Sequence, residues 1–137
     1  MTKGEPAMQE IDVRLSWERQ FKGELTAKNG SAAIGQGEGA LAPYDLMLGA
    51  LGACYYSTFV DIADKMRLDY QSAAIDIHGV KRDEVPTTLK EVSMTLTIQG
   101  TPDEKGFARA AGLAAKYCSV HETISKVAHI SLDVKFA

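Results

Sequence analysis

One long apolar stretch constrains this chain more than any other feature: Leu46-Met-Leu-Gly-Ala-Leu-Gly-Ala-Cys54-Tyr-Tyr-Ser-Thr-Phe-Val60, opened by Pro43. Proline suits the first turn of a helix, where its missing N–H would have no partner anyway. The spacing therefore predicts a helix from Pro43 to about Met66. The run is shorter than the ~18 residues a membrane span requires. Gly49 and Gly52 leave room for another element to lie close against it. A buried core helix follows, and the rest of the chain must cover it.

The covering material is strand. Ile11, Val13, Leu15 and Trp17 alternate with polar residues, the period-2 pattern of a half-buried strand. Gln20 to Ala27 and Ser31 to Gly35 continue a meander across the turn Lys28-Asn29-Gly30, since Asn-Gly between strand-like runs is a hairpin signal. Beyond the helix, Ala73 to Arg82 alternates again and Leu89 to Gln99 does so in part, joined by Val85-Pro-Thr-Thr88. Thr101-Pro-Asp-Glu104 has the form of a capping box with proline at the first helical position, and predicts an Ala-rich helix to about Tyr117. A further helix is expected from Val120 to about Ala128, and an alternating strand from His129 to Phe136. The order is βββ-α-ββ-αα-β. Grouping of like elements favours α+β over a βαβ parallel sheet.

At 137 residues, 45% apolar and 24% charged, the chain fits a single domain spanning 1–137 with a core that needs no staples. Its net charge of -3 and scattered Lys and Arg exclude a nucleic-acid surface, which needs clustered cations. No apolar h-region is visible in the first ten residues, and two cysteines are too few for a secreted disulfide framework. The expected setting is the cytoplasm, with no membrane partner, where a cysteine pair stays reduced unless it cycles.

Those two cysteines carry the chemistry. Cys54 lies within the apolar run; free cysteine often behaves as a small buried hydrophobe, but Ser57 and Thr58 bring hydroxyls to roughly the same helix face. Cys118 directly precedes Ser119-Val-His-Glu122, itself a capping box. A thiol just outside a helix N-terminus feels the positive end of the helix dipole, which favours thiolate. On sequence alone Cys54 is the buried thiol and Cys118 the activated one. His121 is placed to help hold a thiolate, or simply faces solvent in the first turn, and Glu122 is the capping acid.

Metal binding through Cys54, Cys118, His121 and His78 has no C-x-x-C or H-x-x-x-H spacing behind it, so no metal and no cofactor are expected. The glycines at 35, 37 and 39 form a loop that lacks the lysine of a phosphate cradle. Arg14 and Arg19 lie in the first strand region, and an arginine beside a thiolate would stabilise it and orient a peroxide oxygen. Asp45 sits in the first turn of the long helix, where acids are favoured. Along continuous helix it is about 13 Å from Cys54, too far for direct contact unless the helix breaks at Gly49 or a partner subunit or an arginine bridges the gap.

Taken together, Ala42-Pro-Tyr-Asp-Leu-Met-Leu-Gly-Ala-Leu-Gly-Ala-Cys54 and Lys116-Tyr-Cys-Ser-Val120 resemble the OsmC/Ohr family, osmotically inducible protein C and the organic hydroperoxide resistance proteins. Around the second cysteine the chain looks closest to the YhfA-like branch. The resemblance implies an OsmC-like α+β fold and an intertwined homodimer with central helices packed on antiparallel sheets. It implies a thiol peroxidase in which Cys54 attacks an organic hydroperoxide and Cys118 resolves the sulfenic acid to a disulfide. A lipoyl-type dithiol would then reduce that disulfide. Members carry Glu directly after the proline, paired with Arg from the N-terminal strands. Here that position is Tyr44, the acid comes one later at Asp45, and Arg19 sits nearest the expected turn without flanking glycines. The catalytic set implied is Cys54, Cys118, Arg19 and Asp45.

A second reading from another class keeps the same dimer as a binding or redox-sensing module. Its pocket would be narrowed or lined by Tyr44, Tyr55 and Tyr56 and would hold a small apolar or reactive molecule without turnover. A third reading is a structural stress-response dimer with incidental thiols.

Overall fold

Side-chain alternation and the one apolar run do fix the elements, as a computed structural model covering residues 9–137 makes visible. The leader-free reading of the N-terminal segment falls largely outside those residues. In chain order the elements are β1 (Arg14–Trp17), β2 (Lys22–Thr26), β3 (Ser31–Gly35), α1 (Pro43–Lys65), β4 (Ser72–Lys81), β5 (Leu89–Gln99), α2 (Glu104–Tyr117), α3 (Ser119–Ser125) and β6 (His129–Phe136). This is the expected order. The chain divides into two compact units, Met1–Leu46 and Met47–Ala137, with the boundary inside α1.

The N-terminal unit holds an antiparallel sheet in the order β1-β2-β3. Its β2–β3 turn closes as Asn-Gly demands, with the Ala27 N–H donating to the Gly30 carbonyl at 2.8 Å. Trp17 pairs with Gly23 across β1 and β2, and its indole occupies the space where a Cβ at Gly23 would stand. The alternating face of β1 is not half-buried as the pattern suggests. Leu15 is 45% and Trp17 42% exposed, so within the single chain this apolar face is uncovered.

The second unit is built on a mixed sheet, β4-β5-β6. β4 and β5 are antiparallel, but β6 runs parallel to β5, pairing Val92 with Ile130 and Leu96 with Val134. This corrects the expectation of antiparallel sheets throughout. A parallel neighbour needs a long crossover connection, and α2 and α3 supply it. β5 is the central strand, and its Val92, Met94, Leu96 and Ile98 are buried.

The helices complete that core with one stripe each. On α1 it is Leu51, Tyr55, Phe59 and Ala63, spaced four apart; on α2 it is Phe107, Ala110, Ala111 and Ala114. α1 runs unbroken through Gly49 and Gly52. A Cβ at Gly52 would meet Ile77 Cδ1 at 3.1 Å, and one at Gly79 would meet Leu48 Cδ1 at 3.0 Å, so both glycines serve close helix–strand contact. At 23 residues α1 is long and apolar enough, by length and composition, to cross a membrane. Its Leu51–Ala63 stripe instead packs into the core of this unit. The helix ends where Arg67 takes the left-handed conformation, φ 57°, and the Leu68 N–H closes onto the Ala63 carbonyl at 2.9 Å.

Both predicted capping boxes move. α2 is capped by Asp103, whose carboxylate accepts from the Gly106 N–H at 2.9 Å, while Thr101 Oγ1 accepts from the Asp103 N–H at 3.1 Å. α3 is capped not by Ser119 but by the residue before it, and that shift reorganises the thiol site.

Candidate active site

Cys118 is the N-cap of α3: its Sγ accepts from the His121 N–H at 3.4 Å. Serine and its relatives usually fill this place because an oxygen on a short side chain meets an orphan N–H of the first turn. A thiol does so here, and Cys118 is buried, 1% exposed. Glu122 does not complete a capping box; it pairs with Lys126 at 2.7 Å, one turn along α3.

With the cap position filled by Cys118, the next groups of α3 turn to the other cysteine. Cys54, half-buried in the middle of α1, has its Sγ 3.6 Å from Ser119 Oγ. Burial alone would raise its pKa. The Val120 N–H, the Ser119 hydroxyl, the Cys118 thiol and the Ser119 N–H all hydrogen-bond to its sulfur and outweigh burial, so Cys54 lies below the ordinary thiol value. Cys118 moves the other way. Burial pushes it up, the proton it shares with Cys54 and the charge there push it further, and the His121 and Val120 N–H groups oppose them only in part. Both cysteines are free thiols.

This inverts the local reading of the sequence. The helix N-terminus that seemed to activate only Cys118 also acts on Cys54, which rests on a different helix. Cys118 is the buried thiol whose pKa is raised, and Cys54 the more accessible one whose pKa is lowered. Sequence reasoning placed Ser119 in a cap and gave Val120 no role. Their adjacency to Cys118 was the available signal, but their partner appears only once α1 packs beside the α2–α3 junction.

The other predicted residues are placed as follows. Arg19 lies in the bend between β1 and β2 and Arg14 at the start of β1, both in the N-terminal unit. Asp45 reaches back to accept from the Ala42 N–H at 2.9 Å, closing the first turn of α1. Ion pairs among the described residues join Arg82 to Glu84 and Glu122 to Lys126, so neither Arg19 nor Asp45 belongs to one. Continuous helix separates Asp45 from Cys54, as the spacing requires. Thr58 donates to the Cys54 carbonyl at 3.0 Å, so its hydroxyl serves the backbone of α1.

Of the tyrosines expected to line a pocket, Tyr55 is a core residue instead, and Tyr56 is half-buried. Tyr55 is fully buried, donates to the Ala111 carbonyl at 2.9 Å, and is raised above the usual phenol range by that burial. Tyr56 hydrogen-bonds Tyr70 at 2.5 Å; burial and that bond push Tyr70 up to about 12. Among the described residues no three His, Cys, Asp or Glu side chains converge on a common point as metal ligands.

A sequence model of the family described as OsmC-like protein matches residues 35–133, a stretch that contains both cysteines. Protein YhfA of Escherichia coli strain K12 is 29% identical over 126 residues, covering 88% of this chain and 94% of that protein. Two solved structures superpose along almost the whole chain. An OsmC like protein from Mycoplasma pneumoniae does so with TM-score 0.85 and 15% identity, covering 94% of this chain and 98% of that one. An organic hydroperoxide resistance protein from Legionella pneumophila does so with TM-score 0.73 and 15% identity, covering 95% and 99%. At these identities the structures speak for the fold, and the sequence match speaks for descent. The chain belongs to the OsmC-like protein family.

Proposed function

We propose that this chain is a thiol-dependent organic hydroperoxide reductase, with Cys54 the peroxidatic and Cys118 the resolving cysteine. The observation that carries the reading is the unequal thiol pair: a half-buried sulfur whose pKa is lowered, beside a buried thiol whose pKa is raised. A solved structure of the same fold is named an organic hydroperoxide resistance protein, and the fold it shares with this chain supports the assignment.

The reaction balances with those two groups. The Cys54 thiolate attacks the distal oxygen of an organic hydroperoxide. An S–O bond forms, the O–O bond breaks, and the alkoxide leaves and takes a proton from solvent. Cys54 is now a sulfenic acid. The Cys118 sulfur attacks it, an S–S bond forms, the S–O bond breaks, and the departing hydroxide leaves as water with the Cys118 proton. Two thiols have been oxidised to a disulfide and the hydroperoxide reduced to an alcohol. An external dithiol of lipoyl type returns the pair to thiols by exchange.

Arg19 enters this proposal as the cation that orients the peroxide and Asp45 as its acidic partner, with Arg14 the alternative guanidinium. A homodimer is part of the same reading, supported by the uncovered apolar face of β1 and by the exposed side of α1. The cytoplasm is its proposed setting, because the cycle needs reduced thiols at rest.

The test uses Cys118→Ser, which keeps an acceptor at the α3 cap. Treated with equimolar cumene hydroperoxide and then dimedone, it is expected to carry the sulfenic-acid adduct on the Cys54 peptide. A Cys54 that stays a free thiol under these conditions overturns the proposal. Adduct formation without turnover in wild type supports the sensing reading instead.

A further inference from the structure

We propose that Ser119 is a catalytic residue of the thiol site, its hydroxyl donating to the Cys54 thiolate while that sulfur attacks the hydroperoxide. The inference rests on the reductase reading above and adds a group that neither the motif nor the cap assignment provides.

Three observations lead to it. Ser119 Oγ stands 3.6 Å from Cys54 Sγ, across 65 residues of sequence, so the contact belongs to the tertiary fold. Its hydroxyl is not occupied by capping, because Cys118 Sγ already receives the His121 N–H. Nor is Ser119 a core residue filling space: it is exposed, and its main chain is fixed independently by the Thr123 hydroxyl donating to its carbonyl at 3.0 Å. A hydroxyl held at the sulfur, free of capping duty and exposed, is available to the reaction.

Chemistry sets the direction of the bond. A thiolate only accepts, so once Cys54 ionises the serine O–H must donate. The bond strengthens as it becomes charge-assisted. It therefore favours charge on Cys54 over charge on Cys118, which has no such hydroxyl among its recorded partners. Ser119 keeps its proton through both chemical steps; it stabilises the nucleophile and transfers nothing. Among the described residues the titratable group acting on Cys54 is Cys118, while Glu122 and Lys126 on α3 are engaged with each other.

The test is the pH profile of iodoacetamide alkylation at Cys54, followed by peptide mass spectrometry, in wild type, Ser119→Ala, Ser119→Thr and Ser119→Val. Alanine at an exposed helix start is well tolerated, and the Thr/Val pair is matched in shape. In Ala and Val the midpoint is expected to move up by roughly one pH unit, making alkylation about tenfold slower below it, with Thr following wild type. Thermal midpoints should agree across the set. An unshifted profile in Ser119→Ala, or a Thr variant that moves as far as Val, overturns the inference. Alkylation needs no hydroperoxide, so failure of the reductase reading shows separately: the profile would shift in a protein that consumes none.

Discussion

Cys54→Ser is expected to lose hydroperoxide consumption by several orders of magnitude, the scale on which removing a covalent nucleophile acts. The alcohol that replaces the thiol is a weak nucleophile without an adjacent general base, and the groups around position 54 are hydrogen-bond donors rather than bases. They favour the charged form of a thiol; they do not create an anion from an alcohol. The fold should not change, because the substitution is nearly isosteric at a half-buried position and Ser119 still offers a partner. The measurement is cumene hydroperoxide consumption with a dithiol reductant. Cys118→Ser should behave differently, completing the first step and stalling as sulfenic acid. A Cys54→Ser protein that turns over like wild type would remove Cys54 from the chemistry.

The second large effect concerns stability. Phe59 is fully buried at the centre of an aromatic cluster, with ring centroids of Tyr56 and Phe107 at 5.9 Å, Tyr70 at 6.2 Å and Tyr55 at 6.4 Å. These separations lie in the range where aromatic pairs add to simple area burial. Three of the neighbours are also pinned by hydroxyl bonds, Tyr55 to Ala111 and Tyr56 and Tyr70 to each other, so the walls of the hole left by truncation cannot easily collapse into it. Phe59→Ala is therefore expected at the upper end for such changes, about 3–5 kcal/mol. At fixed protein concentration that lowers the thermal midpoint by roughly 10–15 °C. Calorimetry or circular dichroism checks it, with Phe59→Leu losing clearly less. A loss below about 1 kcal/mol would show that the cluster does not hold α1 to α2.

The fold was legible wherever periodicity carried it. The Asn-Gly turn placed β3, and alternation, partial along β5, placed β5 and β6 at their observed bounds; the apolar run with Pro43 marked α1 almost to the residue. Caps were less legible, because several Ser, Thr, Asp or Cys side chains in a row compete for one position. At 101–104 the winner was Asp103 and at 118–122 it was Cys118. The direction of β6 was not legible at all: nothing in an alternating pattern says whether its neighbour runs alongside or against it. The burial of β1 was misread for a related reason, since alternation reveals an apolar face but not which partner covers it.

The same distinction holds at the site. Both cysteines stood out in the sequence by position, but their ionisation depends on contacts between α1 and the start of α3, far apart along the chain. Local reasoning gave the helix N-terminus to the adjacent Cys118. Packing brings the Ser119 and Val120 N–H groups to Cys54 as well, lowering its pKa, while burial raises that of Cys118. Ser119 carried a signal that was read correctly as a hydroxyl at a helix start and assigned the wrong partner. Asp45 was seen as part of the site, and its recorded hydrogen bond is to the first turn of its own helix.

The central claim is that Cys54 and Cys118 act as one redox pair, and the mass of the chain after hydroperoxide tests it most directly. Wild-type protein treated with equimolar cumene hydroperoxide, quenched by alkylation and mapped without reducing agent, should lose two hydrogens per chain. The loss should appear in a Cys54–Cys118 linked peptide and be restored by a dithiol. Two alkylated cysteines at unchanged mass, or a disulfide joining Cys54 to Cys54 of another chain, would contradict the account.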